Sequence, residues 1–329
     1  MRYRSLGTRQ VSAMCLGTLP FGSVVDDASS FALLDRFVER GGTFVDTANC
    51  YCFWREGSDG GDSERLVGRW LKERGNREDM VVATKLGALP SAKGGTWPAN
   101  REGLSAPTVA AAARASLDRL GTDRVDLLYG HIDDPDTSLE ETVGAFARLV
   151  DQGLADQVGM SNQSLERFAA SRAVAHRDGT AAYSALQQRH TFLRPAPGAD
   201  FDYQVSLEDD VLAYARTRPE LGILAYSSLL NGAYVRGDRP VPAEYRHAST
   251  AASLAVLAEV AHETGATANQ VVYAWMLDGP VPLIPLIGAS SVSQLDEALD
   301  ALDLELTPDQ RRRLDTARNV GQQSSRFLS

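Results

Sequence analysis

Segments with the patterns of strands and helices alternate along almost the whole chain. Eight apolar segments of strand length are separated by longer stretches, several of which carry apolar residues at helical spacing. Parallel strands joined by crossover helices give this succession, so we predict an α/β fold of the (β/α)8 TIM-barrel type. The strand-like segments are residues 11–18, 41–48, 78–87, 124–131, 155–162, 181–189, 220–228 and 281–290. The helix-like segments are residues 63–75, 108–121, 138–153, 164–179, 207–218 and 253–265.

The chain carries no sign of a domain boundary. No linker rich in Pro, Ser or Gly divides the 329 residues, and barrels reach this length as one unit. We therefore predict a single domain over residues 1–329, with long loops at the carboxyl ends of the strands. An open doubly wound sheet is the rival architecture, but no Gly-x-Gly-x-x-Gly segment opens a helix after an early strand.

Composition excludes several classes of protein. A net charge of -10 argues against a nucleic-acid surface, which needs a basic stripe. No apolar stretch is long enough to span a bilayer, and residues 1–17 lack a secretory signal, so we expect a cytoplasmic protein that does not bind membranes. The five histidines are scattered without ligand spacing, so we expect no metal site.

Three cysteines are too few for a disulfide framework and fit a reducing compartment. Cys50 and Cys52 flank Tyr51, where exposed thiols could sense oxidants. Inert packing is the alternative, and it is the one we favour, because neighbours one residue apart on a strand end point to opposite faces.

Four polar residues lie at or just past the ends of strand-like segments: Asp46, Tyr51, Lys85 and His131. Singly they could be a cap, a rim aromatic, a surface amine and a structural histidine. In a barrel the loops after the strands converge on one face, so together they form a candidate catalytic site. A phenol titrates near pH 10, and an ammonium held charged by Asp46 would lower the pKa of Tyr51. This set of groups suits proton transfer to a carbonyl oxygen.

The motifs around these residues resemble those of the aldo-keto reductases over nearly the whole chain, most closely in the branch that includes the potassium-channel beta-subunit-like and bacterial members. The resemblance implies a nicotinamide-dependent oxidoreductase in which Tyr51 protonates the carbonyl oxygen during hydride transfer, or accepts the proton in reverse. It implies that His131 orients the carbonyl. The matching residues are Asp46, Thr47, Ala48 and Tyr51 in D-T-A-x-x-Y, Lys85, His131 in D-L-L-x-x-H, Ser63, Glu64 and Gly68 in S-E-x-x-x-G, and Ser161 and Asn162 in S-N.

The resemblance also implies a cofactor site. Gly288 and Gln294 stand where some members carry Lys and Arg for the 2'-phosphate of NADP, yet branch members with a similar pattern use NADP, so we expect NADP(H) rather than NAD(H). His190 stands where we expect an aromatic residue to stack on the nicotinamide. The implied contacts are Ser161, Asn162 and Gln187 for the carboxamide, Ser227, Leu229 and Gly232 for the pyrophosphate, and Gly288, Ser290, Gln294 and Glu297 for the adenosine end.

Two long loops, residues 52–62 and 87–105, carry Trp54 and Trp97, and Phe21 follows the first strand. With His190, these side chains predict aromatic walls that suit a ring-containing or sugar-like carbonyl compound, unless the loops simply cover the barrel end. Two other functions stay open: a nicotinamide-binding regulatory subunit, and a lyase in which Lys85 forms a Schiff base. The oligomeric state stays open as well.

Overall fold

The structure is a computed structural model that describes residues 1–91 and 95–319; of the predicted loop 87–105, residues 92–94 lie outside the described part, as do 320–329 of the predicted domain. A hairpin of β1 (Tyr3–Leu6) and β2 (Arg9–Ser12) precedes a closed barrel of eight parallel strands. Each predicted strand segment contains one barrel strand, so the predicted fold is confirmed. The barrel strands are β3 (Cys15–Gly17), β4 (Phe44–Asp46), β5 (Val81–Leu86), β6 (Val125–Gly130), β7 (Ala155–Ser161), β8 (Ala185–Arg189), β9 (Gly222–Tyr226) and β10 (Ile284–Ile287).

The described residues form ten α-helices, and the six predicted helices are among them. Four were missed: α1 (Asp27–Glu39), α8 (Ala268–Leu277), α9 (Val292–Asp300) and α10 (Pro308–Asn319). Helix α8 was missed because eight of its ten residues are buried, so that it has no polar face to produce an amphipathic pattern. The helices are α1 (Asp27–Glu39), α2 (Asp62–Arg74), α3 (Ala106–Leu120), α4 (Leu139–Asp151), α5 (Leu165–Asp178), α6 (Asp209–Arg216), α7 (Thr250–Thr264), α8 (Ala268–Leu277), α9 (Val292–Asp300) and α10 (Pro308–Asn319).

The first strand-like segment, residues 11–18, is divided between two elements. Its first two residues belong to β2, and the barrel strand begins only at Cys15. The Ser12 hydroxyl donates to the Met14 carbonyl across the break at 2.7 Å. Leu6 and Val11 of the hairpin pack into the apolar interior of the barrel with Phe44 and Val81, which lie at the amino ends of their strands. The hairpin therefore closes the end of the barrel opposite the strand carboxyl ends.

Side-chain alternation along each strand separates the inside of the barrel from the layer beneath the helices. In β5, Val81 and Ala83 face the interior, whereas Val82 and Leu86 pack against the helices. Lys85 continues the inward series of β5. By the same alternation, the Asp46 side chain lies on the inward face of β4, as does that of Phe44. The two charged residues therefore lie directly above the apolar filling of the barrel.

The start of α2 is fixed to the barrel by its first polar residues. The Ser63 hydroxyl accepts from Thr47 at 2.9 Å and donates to the Thr18 carbonyl at 2.9 Å. The fully buried Glu64 carboxylate accepts from Thr84 at 2.5 Å and from the Arg119 guanidinium at 2.6 Å. These bonds hold α2, and hence the loop before it, against strand ends that carry the candidate site.

None of the helices in the described part of the chain combines the length and apolarity needed to cross a bilayer.

Candidate active site

Asp46, Lys85 and Tyr51 form one connected group at the carboxyl ends of β4 and β5. The Lys85 ammonium forms a salt bridge with Asp46 and donates to the Thr47 carbonyl at 2.8 Å and to the Tyr51 oxygen at 2.9 Å. Asp46 and Lys85 are both fully buried, whereas Tyr51 is half-buried. Because Lys85 occupies a lone pair of the Tyr51 oxygen as donor, the phenolic hydrogen stays free for another acceptor.

Burial and charge set the protonation of these groups. Burial lowers the pKa of Lys85, but the charge of Asp46 and the interactions of the amine with Asp46 and Tyr51 outweigh it and the net pKa is raised, so the amine stays an ammonium. Burial raises the pKa of Tyr51, and Lys85 opposes this only in part. Lys85 lowers the pKa of Tyr51, as predicted. The predicted net lowering of that pKa is wrong, because desolvation of the phenolate raises the pKa more than one ammonium lowers it. Tyr51 is therefore a protonated phenol at neutral pH.

His131 lies beside Tyr51 just after β6. Their ring centroids are 5.9 Å apart with the planes at 75°, an edge-to-face contact. Burial, followed by the charge of Lys85, holds the pKa of His131 well below its usual value, so its imidazole is neutral. The Cys50 sulfur lies 3.4 Å from its Nδ1 atom. All three thiols are free and buried, so Cys50 and Cys52 lack the exposure that an oxidant sensor needs.

Ser161, Asn162 and Gln187 lie together beside the four catalytic candidates. The Gln187 amide donates to Asp46 at 3.1 Å, and the Ser161 hydroxyl donates to the Gln187 carbonyl at 2.8 Å. Asn162 donates from Nδ2 to the His131 carbonyl at 3.0 Å. Its backbone φ of 54° is left-handed, a conformation that asparagine tolerates better than most residues. The ends of β4, β6, β7 and β8 are thus joined by one polar network.

Aromatic side chains from three loops meet above this network. The ring centroid of Trp97 lies 4.6 Å from that of Tyr203, edge-to-face, and 5.4 Å from that of Phe53. The Trp97 indole nitrogen donates a hydrogen bond of 2.8 Å to the Ala88 carbonyl. The group packs with Tyr51 around buried Ala48 and Cys50. We call Phe53, Trp97 and Tyr203 the aromatic mouth.

Of the other predicted substrate residues, Trp54 lies at the edge of the aromatic mouth, whereas Phe21 and His190 lie outside it. Trp54 is 52% exposed and packs edge-to-face on Phe53 at 5.4 Å. Phe21 is fully buried, and its carbonyl is 3.4 Å from the Cys52 sulfur. His190 is buried and stacks on Trp275 at 5.7 Å.

Comparison with known proteins identifies the family of the chain. Residues 13–319 match the Aldo/keto reductase family. This chain belongs to the aldo/keto reductase family. It is 30% identical to aldo-keto reductase str7 of Strobilurus tenacellus, over 93% of this chain and 89% of that protein. It is 30% identical to norsolorinic acid reductase A of Aspergillus parasiticus, over 95% of this chain and 79% of that protein. An aryl-alcohol dehydrogenase of Pestalotiopsis microspora is 26% identical over 91% of this chain and 76% of its own length.

As an aldo/keto reductase, the protein is an oxidoreductase that acts on carbonyl compounds with NAD(P)H. The loop after β9 offers donors that fit the diphosphate of such a cofactor. Ser227 and Leu230 are left-handed, with φ of 58° and 49°, as is Gly232, and non-glycine residues in this conformation tend to mark functional loops. Leu229 is half-buried in the same loop.

Arg189 is a candidate site residue that the sequence did not point to. It continues the inward series of β8, and its guanidinium packs on the Phe201 ring at 4.7 Å. Its hydrogen-bond partners are neutral: Tyr245 at 2.9 Å, Gln204 at 2.7 Å and the Ser227 hydroxyl at 3.4 Å. A guanidinium beside a serine hydroxyl is a donor set that suits phosphate.

Tyr226, the last residue of β9, was also missed. Its hydroxyl donates to Asn162 Oδ1 at 2.6 Å, so its ring lies at the carboxyl end of the barrel next to the predicted carboxamide contacts. His190 instead packs against α8 through Trp275. The sequence did indicate its place in the fold, because Tyr226 lies near the end of the strand-like segment 220–228.

The predicted adenosine contacts lie around the start of α9. Gly288 is exposed, and nothing lies within 4 Å of where its Cβ would stand. Ser290 donates from its backbone nitrogen to Gln294 at 2.9 Å. Glu297 accepts from the Thr267 hydroxyl at 2.7 Å. These four residues form an open, neutral to acidic surface.

No cluster of three or more His, Cys, Asp or Glu side chains suited to a metal ion occurs within residues 1–91 and 95–319.

Proposed function

We propose that this protein reduces a ring-containing aldehyde or ketone to the alcohol with NADPH, and oxidises the alcohol in reverse, with Tyr51 as the general acid and base. The observation that carries the proposal is the Lys85 ammonium donating to the oxygen of a phenol that keeps its hydrogen. When bound, the reduced nicotinamide supplies a hydride to the carbonyl carbon.

Tyr51 gives its phenolic hydrogen to the carbonyl oxygen as that oxygen gains negative charge. The phenolate left behind receives the Lys85 hydrogen bond and charge, and the buried Asp46 holds the ammonium in place. His131 is neutral, so it can hold the carbonyl oxygen as a hydrogen-bond donor without carrying a charge into the site. A Schiff base at Lys85 requires a neutral amine, and the raised pKa of Lys85 opposes it.

The preference for NADPH rests on hydroxyl donors. Ser290 and Ser293 are exposed at the start of α9, where the helix dipole favours a phosphate. Arg189 and Ser227 would hold the diphosphate, and Ser161 and Asn162 the carboxamide. Gln187 lies beside Ser161 and Asn162 and donates a hydrogen bond to Asp46.

A ring-containing substrate fits the aromatic mouth, whose rings pack with Tyr51 next to His131. The name of the aryl-alcohol dehydrogenase relative points in the same direction. The three unpaired cysteines suit the cytoplasm. We propose that the whole chain acts as a single domain.

The test is a fluorescence titration of the purified protein with NADPH and with NADH, followed by oxidation assays with aromatic aldehydes, cyclic ketones and keto-sugars. Tighter NADPH binding and turnover of an aromatic or cyclic carbonyl compound support the proposal. Binding without turnover on the whole panel would favour a regulatory role, and reduction of keto-sugars alone would overturn the aromatic preference.

A further inference from the structure

The Cys50 thiol is the one described side chain in hydrogen-bonding contact with the His131 ring. Its sulfur lies 3.4 Å from Nδ1, within the range for a sulfur hydrogen bond. Cys50 is 3% exposed and packed among Ala48, Ala88 and Ile132, so the contact is held in place by apolar neighbours.

Two directions are open to this bond, and an imidazole nitrogen is a better acceptor than a thiol sulfur, which favours the direction in which the thiol donates. Burial raises the pKa of the Cys50 thiol to about 12, so the sulfur keeps its hydrogen at neutral pH. The His131 imidazole is neutral and therefore carries one hydrogen, on either Nδ1 or Nε2. When the thiol donates to Nδ1, that nitrogen is the acceptor and the ring hydrogen is on Nε2.

The two tautomers have opposite consequences for a bound carbonyl compound. With hydrogen on Nε2, the ring donates to the carbonyl oxygen. With hydrogen on Nδ1, the lone pair of Nε2 faces the lone pairs of the carbonyl oxygen and repels them. No residue in the described ranges forms a hydrogen bond with Nε2, so this nitrogen is left for a ligand. The edge-to-face contact with Tyr51 places the ring next to the proposed proton donor.

We propose that Cys50 is a positioning residue that fixes His131 in the tautomer with hydrogen on Nε2. The imidazole then donates to the substrate oxygen from one side while Tyr51 protonates it. The proposal rests on the proposed function for the role of His131, but the tautomer itself is a property of the protein without substrate.

Nitrogen-15 NMR with labelled histidine measures the tautomer directly, because protonated and unprotonated ring nitrogens differ in chemical shift. The His131 signal is identified by its loss in His131→Gln. The wild type and Cys50→Ser, which keeps a donor, should show the hydrogen on Nε2. Cys50→Ala should show a mixture of tautomers. Cys50→Val, which refills most of the volume, replaces Cys50→Ala if the smaller side chain prevents folding.

Cys52→Ala is the matched control, because it removes a buried thiol two residues away that contacts the Phe21 carbonyl rather than a histidine. It should leave the His131 signals unchanged. A wild-type His131 with hydrogen on Nδ1, or a tautomer that does not change in Cys50→Ala, would overturn the proposal.

Kinetics then separate this inference from the proposed function. Cys50→Ala should lower kcat/KM for the carbonyl substrate about tenfold, the value of one hydrogen bond, with the Kd for NADPH unchanged. A changed tautomer with wild-type kcat/KM would show that the tautomer does not matter for turnover and would overturn the positioning role. A wild type that reduces no carbonyl compound would instead refute the proposed function, and the NMR result would still decide the tautomer.

Discussion

Gln187 and Asp46 are joined by a hydrogen bond of 3.1 Å across the inside of the barrel, from strands that are not neighbours in the sheet. The bond gives the buried carboxylate a second partner besides Lys85. It connects the residue that holds the ammonium with the strand that continues to Arg189.

Gln187→Leu should therefore destabilise the protein. The substitution leaves Oδ1 of a fully buried carboxylate without its side-chain donor, which costs about 1–3 kcal/mol. Urea unfolding at pH 7 measures the change. Gln152→Leu, at an exposed position just after α4, is a comparison that removes an amide outside the barrel interior. An equal effect of the two would show that the cross-barrel bond has no special role.

Tyr51→Phe should lower kcat by about 100- to 10,000-fold while the Kd for NADPH stays within about twofold, because only the proton donor is lost. Lys85 keeps its bonds to Asp46 and to the Thr47 carbonyl, so the site should stay folded. Tyr183→Phe removes a buried hydroxyl that has no hydrogen-bond partner among the described residues, at the amino end of β8, and should leave kcat unchanged. Wild-type turnover by Tyr51→Phe would mean that another group is the acid.

Arg189→Met should weaken NADPH binding about 10- to 100-fold, since a charge-assisted hydrogen bond to phosphate is lost. Added salt should weaken wild-type binding more than binding by the variant. Fluorescence titration at two salt concentrations measures both effects. Arg216→Met, which removes the same charge from an exposed position on α6, should change neither. Equal effects of the two variants would attribute the loss to net charge alone.

Stability should fall on acidification through two histidines, the half-buried His131 and the buried His190. Burial, and then Lys85 for His131 and Arg318 for His190, holds both pKa values well below normal. Below about pH 6.5 the unfolded chain therefore takes up protons that the folded chain does not, and unfolding free energy is lost at up to about 1.4 kcal/mol per pH unit for each histidine.

Urea unfolding between pH 7 and pH 5 measures this slope. His190→Gln should reduce it, whereas His176→Gln, on an exposed face of α5, should not. A slope that is unaffected by His190→Gln would show that the folded protein also protonates that ring.

Gly68→Ala should destabilise the contact between α2 and α3. A Cβ at Gly68 would lie 2.5 Å from the backbone oxygen of Leu120, so the helices must separate, at a cost of about 1–3 kcal/mol. Gly144→Ala in α4 is the matched control: its Cβ comes no closer than 3.4 Å to any atom, and it should gain about 0.5–1 kcal/mol. Thermal unfolding of both variants measures the difference, and similar destabilisation of the two would contradict the close approach.

The sequence predicted the barrel and the group of Asp46, Tyr51, Lys85 and His131 because both depend on local pattern: strands of regular spacing, with polar residues at their ends. It predicted aromatic walls and named Trp97 among them, but it did not predict Phe53 or Tyr203, since these side chains come from loops that meet only after the barrel closes. Arg189 was missed because a single arginine after a strand has the pattern of a surface cation.

The effect of burial on the pKa values could not be predicted from the sequence either. The charge of Lys85 can be read from one residue, but the larger effect of burial on the pKa of Tyr51 depends on everything packed around it.

The hairpin of β1 and β2 and the apolar filling of the barrel close one end, so ligands reach Tyr51 only from the end where the strand carboxyl ends lie. Whatever binds deeper must arrive first and depart last. The geometry therefore imposes an order on the kinetic scheme, and release of the deeper ligand sets an upper limit on the turnover rate whatever the speed of the chemical step.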